Sequence, residues 1–318
     1  LMGLSMFVYV VLDGFDLGVG MLLPRASDAD KDLMVASIGP FWDANETWLV
    51  LGIGILLIAF PKAHGIVMTA LYLPVALMLI GLILRGVAFD FRVKARDEHK
   101  ALWNRAFFAG SMLASLAQGW MLGHYITGFE QGPAFTFFAA VIALCLPAAY
   151  TLIGACWLVM KTEGALQRTA VHWARQAWPP MALGLLLISL ATPWISPTVF
   201  ARWFAFPQLI ALSAIPLMST ICLVAAYAVL RSPQVLGPLC WLPFAFVVTV
   251  FTLGGIGLAY SLYPFVVIDR MTIWQAASAT ESLAVILVGC AVTVPAIALY
   301  TIYAYRVFWG KARALDYA

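Results

Sequence analysis

Nine apolar stretches of about 20 residues follow one another along the chain, joined by short polar connections. As helices, each is long enough to cross a bilayer. Charge and Pro/Gly punctuation place them at about 1–23, 42–60, 65–91, 105–128, 134–160, 180–200, 206–230, 237–265 and 282–309. The longest polar connections, 161–178 and 266–281, are too short to fold alone. Any chemistry must therefore lie in the bilayer or on a partner. Of the 318 residues, 64% are hydrophobic and 10% charged, against about 45–50% and about 25% in soluble chains. The expected class is an all-α polytopic integral membrane protein with nine transmembrane helices. The first stretch carries carboxylates and leads directly into a second span, so it reads as a span itself and not as a cleavable signal. Leu1 already lies inside it, and some upstream residues are expected.

Orientation follows from the cations. With the N-terminus outside and the C-terminus inside, fourteen of the eighteen Lys and Arg fall on inner connections, from Arg25 to Arg313. Only Lys62, Arg202 and Arg270 fall outside, and Arg85 lies within a span. An even number of spans would spoil this asymmetry. The expected layout is a first four-helix bundle over 1–130, a second over 131–266, and an outer loop with a peripheral ninth helix over 267–318. Gly14 and Gly18 offer a small-x-x-x-small face for close helix packing, and Gly254, Gly255 and Gly257 favour close packing or a bend.

Charge inside the spans is distributed unevenly, and charge in a bilayer usually marks a pathway or a paired interior site. Span 1 holds Asp13 and Asp16, span 2 opens with Asp43 and Glu46, and span 3 ends with Arg85, Asp90 and Arg92. Spans 5 to 8 have no charged residue in their interiors. In this orientation Asp43 and Asp90 lie within roughly 5 Å of the cytoplasmic interface. Glu46 and Arg85 lie about 10 Å in, Asp16 roughly 13 Å and Asp13 about 18 Å. Asp13/Asp16 and Asp43/Glu46 are i, i+3 pairs, each on one helix face. The set reads as a ladder of carboxylates from cytoplasm to mid-bilayer that can relay protons, with Asp43 as the entrance. The plainer reading is a structural ion pair in which Arg85 is neutralised by Asp16 or Asp90.

Other polar features are weaker. His64 and His124 fall near outer span ends, and His99 and His172 in inner connections, so none sits mid-span as a haem ligand would. The five Cys lie in apolar stretches without metal-ligand spacing and read as free, buried residues. Most of the twelve Trp flank the spans as an interfacial belt, with Trp42 a candidate to stack on a quinone ring. A net charge of +3 forms no basic face for nucleic acid. No nucleotide-binding loop or nucleophile elbow is present. On residues alone, a proton-coupled secondary transporter competes with an accessory subunit of a redox complex, although transporters place their sites between both halves of the fold.

Asp-Gly-Phe-Asp-Leu-Gly (13–18), Trp-Asp-x-Asn with a following Trp (42–48), Leu-Arg-x-x-x-Phe-Asp-Phe-Arg (84–92) and Tyr-Pro-Phe-Val (263–266) together resemble subunit II of cytochrome bd-type quinol oxidases. The likeness runs in order along the whole chain. It implies a subunit packed against a haem-bearing subunit I, which carries two b-type haems, haem d and the quinol site. A small single-helix subunit, lipid and quinone are further expected partners. The implied complex, in the bacterial inner membrane, reduces oxygen to water with electrons from quinol and protons from the cytoplasm. The family's proton-uptake aspartate maps onto Asp43 and its buried arginine onto Arg85. Glu46 departs from the longer members, which carry an uncharged residue there. The short chain resembles the cyanide-insensitive branch.

Overall fold

The computed structural model describes residues 1–312, so Arg313, counted above with the inner cations, lies outside the described residues. The long helices are α1 (Met2–Leu22), α3 (Trp42–Ala59), α4 (Pro61–Lys94), α5 (Asp97–Ile126), α6 (Pro133–Lys161), α7 (Gly164–Ile195), α9 (Gln208–Arg231), α10 (Leu242–Leu262) and α12 (Thr280–Val307). Among the described residues, eight helices are long and apolar enough to cross a membrane. The long helix outside that set is α5, where the fourth span was expected. It is diluted by Asn104, Ser111, Ser115 and Gln118, all of which turn into the protein and are buried.

Three connections hold more structure than their polarity suggests. Between α1 and α3, Ser27 accepts the Asp30 N–H and caps α2 (Asp28–Ile38); this helix buries Met34, Val35 and Ile38. The segment 161–178, read as a polar connection, is instead mostly the first half of α7. Leu166, Ala170, Trp173, Ala174 and Ala177 recur there at helical spacing and are buried, so one apolar stripe carries the helix through a polar exterior. The loop after α10 folds as a hairpin of β1 (Phe265–Val267) and β2 (Met271–Thr272), antiparallel, then the single turn α11 (Ile273–Ala276). A short α8 (Pro197–Trp203) bridges α7 and α9.

Helix α1 packs against α3, α5, α6 and α10, so it touches helices of both halves of the chain. Its close approach to α6 requires glycine. A Cβ on Gly18 would overlap the Tyr150 carbonyl, and a Cβ on Gly154 would come within 2.5 Å of the Gly18 carbonyl carbon. Neighbouring Gly14 faces the Tyr150 ring. Phe15 stacks on Trp157 of α6, with centroids 4.1 Å apart, which adds aromatic packing to the seam.

The connections sort into two ends. At one, Arg92 pairs with Asp32 of α2 at 2.8 Å, Trp157 donates to the Ser37 carbonyl, and Lys161 donates to the carbonyls of Phe308 (2.7 Å) and Gly310 (3.0 Å). At the other, Tyr125 donates to the Val266 carbonyl of the hairpin, Arg270 pairs with Glu130 at 3.3 Å, and the Ser278 N–H meets the Ala59 carbonyl. The exposed indoles of Trp194, Trp274 and Trp309 lie near helix ends.

Candidate functional site

Three helices bring the charged residues together. Asp13 and Asp16 are one turn apart in the middle of α1 and both are fully buried. Asp43 and Glu46 are one turn apart at the start of α3; Asp43 is exposed, while the Glu46 side chain keeps 26% of its surface. Arg85 comes from the second half of α4 and is 1% exposed.

Arg85 forms the hub. Its Nη1 lies 2.6 Å from Asp13 Oδ1, and its Nη2 donates to Glu46 Oε1. The approach to Asp13 is close but not directional: neither Asp13 oxygen, nor Arg85 Nη1 or Nε, has an aligned hydrogen bond. The Asp13–Arg85 contact is therefore an ion pair by charge and distance. Trp42 flanks the hub, its ring centroid 5.9 Å from the guanidinium carbon and 5.2 Å from the Phe89 ring. That places a cation–π contact on one side of the arginine.

Asp16 is held separately. Asn45 Nδ2 donates to its Oδ2 at 2.8 Å, and Asn45 Oδ1 accepts the Tyr305 hydroxyl at 3.3 Å. Tyr305 belongs to α12 and stacks on Phe41 with centroids 4.3 Å apart, so the last helix reaches the site through one phenol. A neutral branch begins at Tyr9, one turn before Asp13, whose hydroxyl faces that carboxylate. Gln118 Nε2 donates to the Tyr9 oxygen at 2.8 Å, and Tyr150 donates to Gln118 Oε1 at 2.7 Å.

Of the acids singled out in the sequence, Asp13 and Glu46 meet Arg85, Asp16 lies against Asn45, and Asp43 and Asp90 are exposed. The plainer reading pairs Arg85 with Asp16 or Asp90, whereas the structure gives it Asp13 and Glu46. Spacing explains the difference. Asp90 is five residues beyond Arg85, which turns it to the exposed side of α4. Tyr9, Asn45, Gln118, Tyr150 and Tyr305 were not singled out. Asn45 sat in the quoted motif and Tyr9 is four residues from Asp13, so both were within reach. Gln118, Tyr150 and Tyr305 carry no charge and leave no signal in an apolar helix.

None of the four His is buried, and His124 lies against Trp120 with ring centroids 5.0 Å apart. No imidazole is thus enclosed among the helices of this chain. Among the described residues, no three His, Cys, Asp or Glu converge as a metal site. All five Cys are free.

Fold and site together define a multi-pass helical membrane protein whose interior holds ion-paired carboxylates around one arginine. The chain belongs to the cytochrome bd terminal oxidase subunit II family, which matches residues 1–308. Cytochrome bd-I ubiquinol oxidase subunit 2 of Escherichia coli K12 is 27% identical over 373 residues, covering 99% of this chain and 94% of that protein. Cytochrome bd ubiquinol oxidase subunit 2 of Bacillus subtilis is 37% identical over 115 residues, covering 35% of this chain and 34% of the relative. The bd oxidase structure from Geobacillus thermodenitrificans superposes with a TM-score of 0.78 at 17% identity, over 98% of this chain and 97% of that one. At that identity the likeness speaks for the fold. The chain is thus a subunit of a terminal oxidase complex, and the transporter alternative is not favoured.

Proposed function

We propose that this chain is the second subunit of a bacterial inner-membrane quinol oxidase, supporting a haem-bearing first subunit and admitting cytoplasmic protons toward it. In this reading the haems and the quinol site belong to the partner. A small single-helix subunit, lipid and quinone complete the assembly. The chain crosses nine times, as two four-helix bundles (1–130 and 131–266) with an outer loop and ninth helix after them. The N-terminus is periplasmic and the C-terminus cytoplasmic. The grouping of the connections at two ends and the crowding of cations at one of them support this topology.

The observation that carries the proton role is a buried acid cluster that opens on an exposed acid. Asp43 takes a proton at the surface and Glu46 receives it one turn deeper. From there it moves to Asp13, the other carboxylate held by Arg85. The guanidinium offsets negative charge in a low-dielectric interior but cannot itself give up a proton at working pH. Asp16, held by Asn45, is a second buried acceptor on the same helix. Trp42 shields the hub, and Asp90 adds negative charge at the inner surface.

Asp43→Asn tests this reading, since it keeps volume and most hydrogen bonding but cannot exchange a proton. The variant complex is expected to assemble with unchanged haem spectra, while oxygen consumption per haem d and proton uptake in proteoliposomes fall. Asp43→Glu should retain much of the rate. Wild-type turnover and uptake in Asp43→Asn would make this aspartate a helix-start residue only.

A further inference from the structure

Away from the acid cluster, a cavity of about 300 Å³ opens between α7 and the end of α9 and is lined by Arg168, Arg175, Arg231 and Ser232. Among the described residues, none of the three arginines takes part in an ion pair. Cations at this end of a membrane protein are ordinarily just solvated. Here they converge on a concavity, and two of them are held in place. Arg175 donates from Nε and Nη2 to the Leu230 carbonyl, at 2.9 and 2.5 Å. Arg231 lies over the Tyr227 ring, its guanidinium carbon 4.7 Å from the centroid. Ser232 Oγ already accepts the Gln234 N–H, which leaves its proton free to donate. The cavity therefore offers oriented cationic donors with no anion paired to them among the described residues.

What continues from the cavity decides the kind of anion. Along α7, Arg175, Pro179, Leu183, Leu186 and Leu190 follow one another at helical spacing and are all exposed. Along α9 the same holds for Arg231, Val224 and Leu217, with Tyr227 between them. Tyr227 packs on Trp178, centroids 4.8 Å apart, where an aromatic belt marks the headgroup level. Each stripe is cationic at the connection end and apolar for the rest of its length. That is the profile of an anionic phospholipid, with its phosphate among the arginines and its acyl chains along the leucines.

We propose that the Arg168–Arg175–Arg231 cavity is a binding site for the phosphate of an anionic phospholipid in the leaflet at the cation-rich end. The site rests on the membrane placement of the chain and not on the proton route. Its failure would leave that route untouched.

The test uses the purified oxidase complex, delipidated and then offered dioleoyl phosphatidylglycerol or dioleoyl phosphatidylcholine, with bound lipid counted by native mass spectrometry. The double variant Arg168→Gln/Arg231→Gln removes two cations that make no hydrogen bond to another described residue. It spares Arg175, whose loss would also free the Leu230 carbonyl. A double variant of equal charge loss elsewhere at the same end, Lys94→Gln/Arg96→Gln, controls for general surface charge. Wild type and control should retain phosphatidylglycerol over phosphatidylcholine, and the cavity variant should bind it about fivefold more weakly per guanidinium removed. Inorganic phosphate at equal concentration should not displace the lipid, because it lacks the acyl contacts; full displacement would assign the site to free phosphate. Equal phosphatidylglycerol retention in wild type and cavity variant, or equal retention of both lipids by wild type, would overturn the proposal. So would loss of subunit I from the cavity variant, which would make the cavity part of the subunit interface.

Discussion

The two halves of the chain use their interiors in opposite ways. In the first, α1, α3 and α4 bury Asp13, Asp16 and Arg85 outright and half-bury Glu46. In the second, α6, α7, α9 and α10 have no charged residue in their membrane-embedded lengths, and Lys161, Arg168, Arg175 and Arg231 all lie toward one end. Their exposed surface is rich in large apolar side chains, including Leu144, Leu183, Leu190, Ile210 and Leu217. Both halves fold by the same helical rules, yet one buries charge in mid-helix and the other only at a helix end, at Lys161. A membrane protein retains buried charge only where pairing or function compensates it. The first half thus holds the buried charge cluster, and the second contributes packing, surface and one neutral partner of the cluster's branch, Tyr150.

The strongest way to break this contrast is at Arg85. Arg85→Ala leaves Asp13 and Glu46 facing each other without their cation, and breaking a buried pair costs about 3–5 kcal/mol. The yield of assembled oxidase should fall sharply, and Arg85→Lys should be milder. Normal yield and activity in Arg85→Ala would mean that the first half is no more demanding than the second.

The seam between the halves is the next test. At Gly18 an added methyl meets the backbone of α6, which cannot move aside as a side chain would. Gly18→Ala should destabilise the purified complex by about 1–3 kcal/mol, read as a fall in Tm. Gly254→Ala, at a position with nothing within 4 Å, should be neutral or slightly stabilising. Equal effects at both positions would remove the special status of the α1–α6 contact.

Smaller still is the tie from the last helix. Tyr305→Phe deletes one hydrogen bond to Asn45 while keeping the ring on Phe41, and should lower stability by about 1 kcal/mol. A drop in turnover with unchanged Tm would instead make the hydroxyl part of the proton route. No effect on haem is expected from His64→Ala or His124→Ala, because neither imidazole is buried. Selective loss of one haem band with assembly intact would bring this chain into the redox centre.

The sequence by itself determined the membrane class, the approximate positions of the long helices and the uneven placement of charge. Those properties depend on local hydrophobicity and on counting, and a bilayer reads both one segment at a time. It also indicated close packing at Gly14 and Gly18, because small residues four apart share a face. The polar segment 161–178 misled because a single buried stripe suffices to extend a helix, and polarity alone does not reveal it. The pairing of the acids could be decided only by the tertiary structure. Asp13, Glu46 and Arg85 are far apart in sequence, and which carboxylate meets the guanidinium depends on how α1, α3 and α4 are rotated against one another. The same holds for Gln118, Tyr150 and Tyr305. Their significance lies in what they touch, and a neutral polar side chain in an apolar helix becomes legible only once its partner has been packed against it.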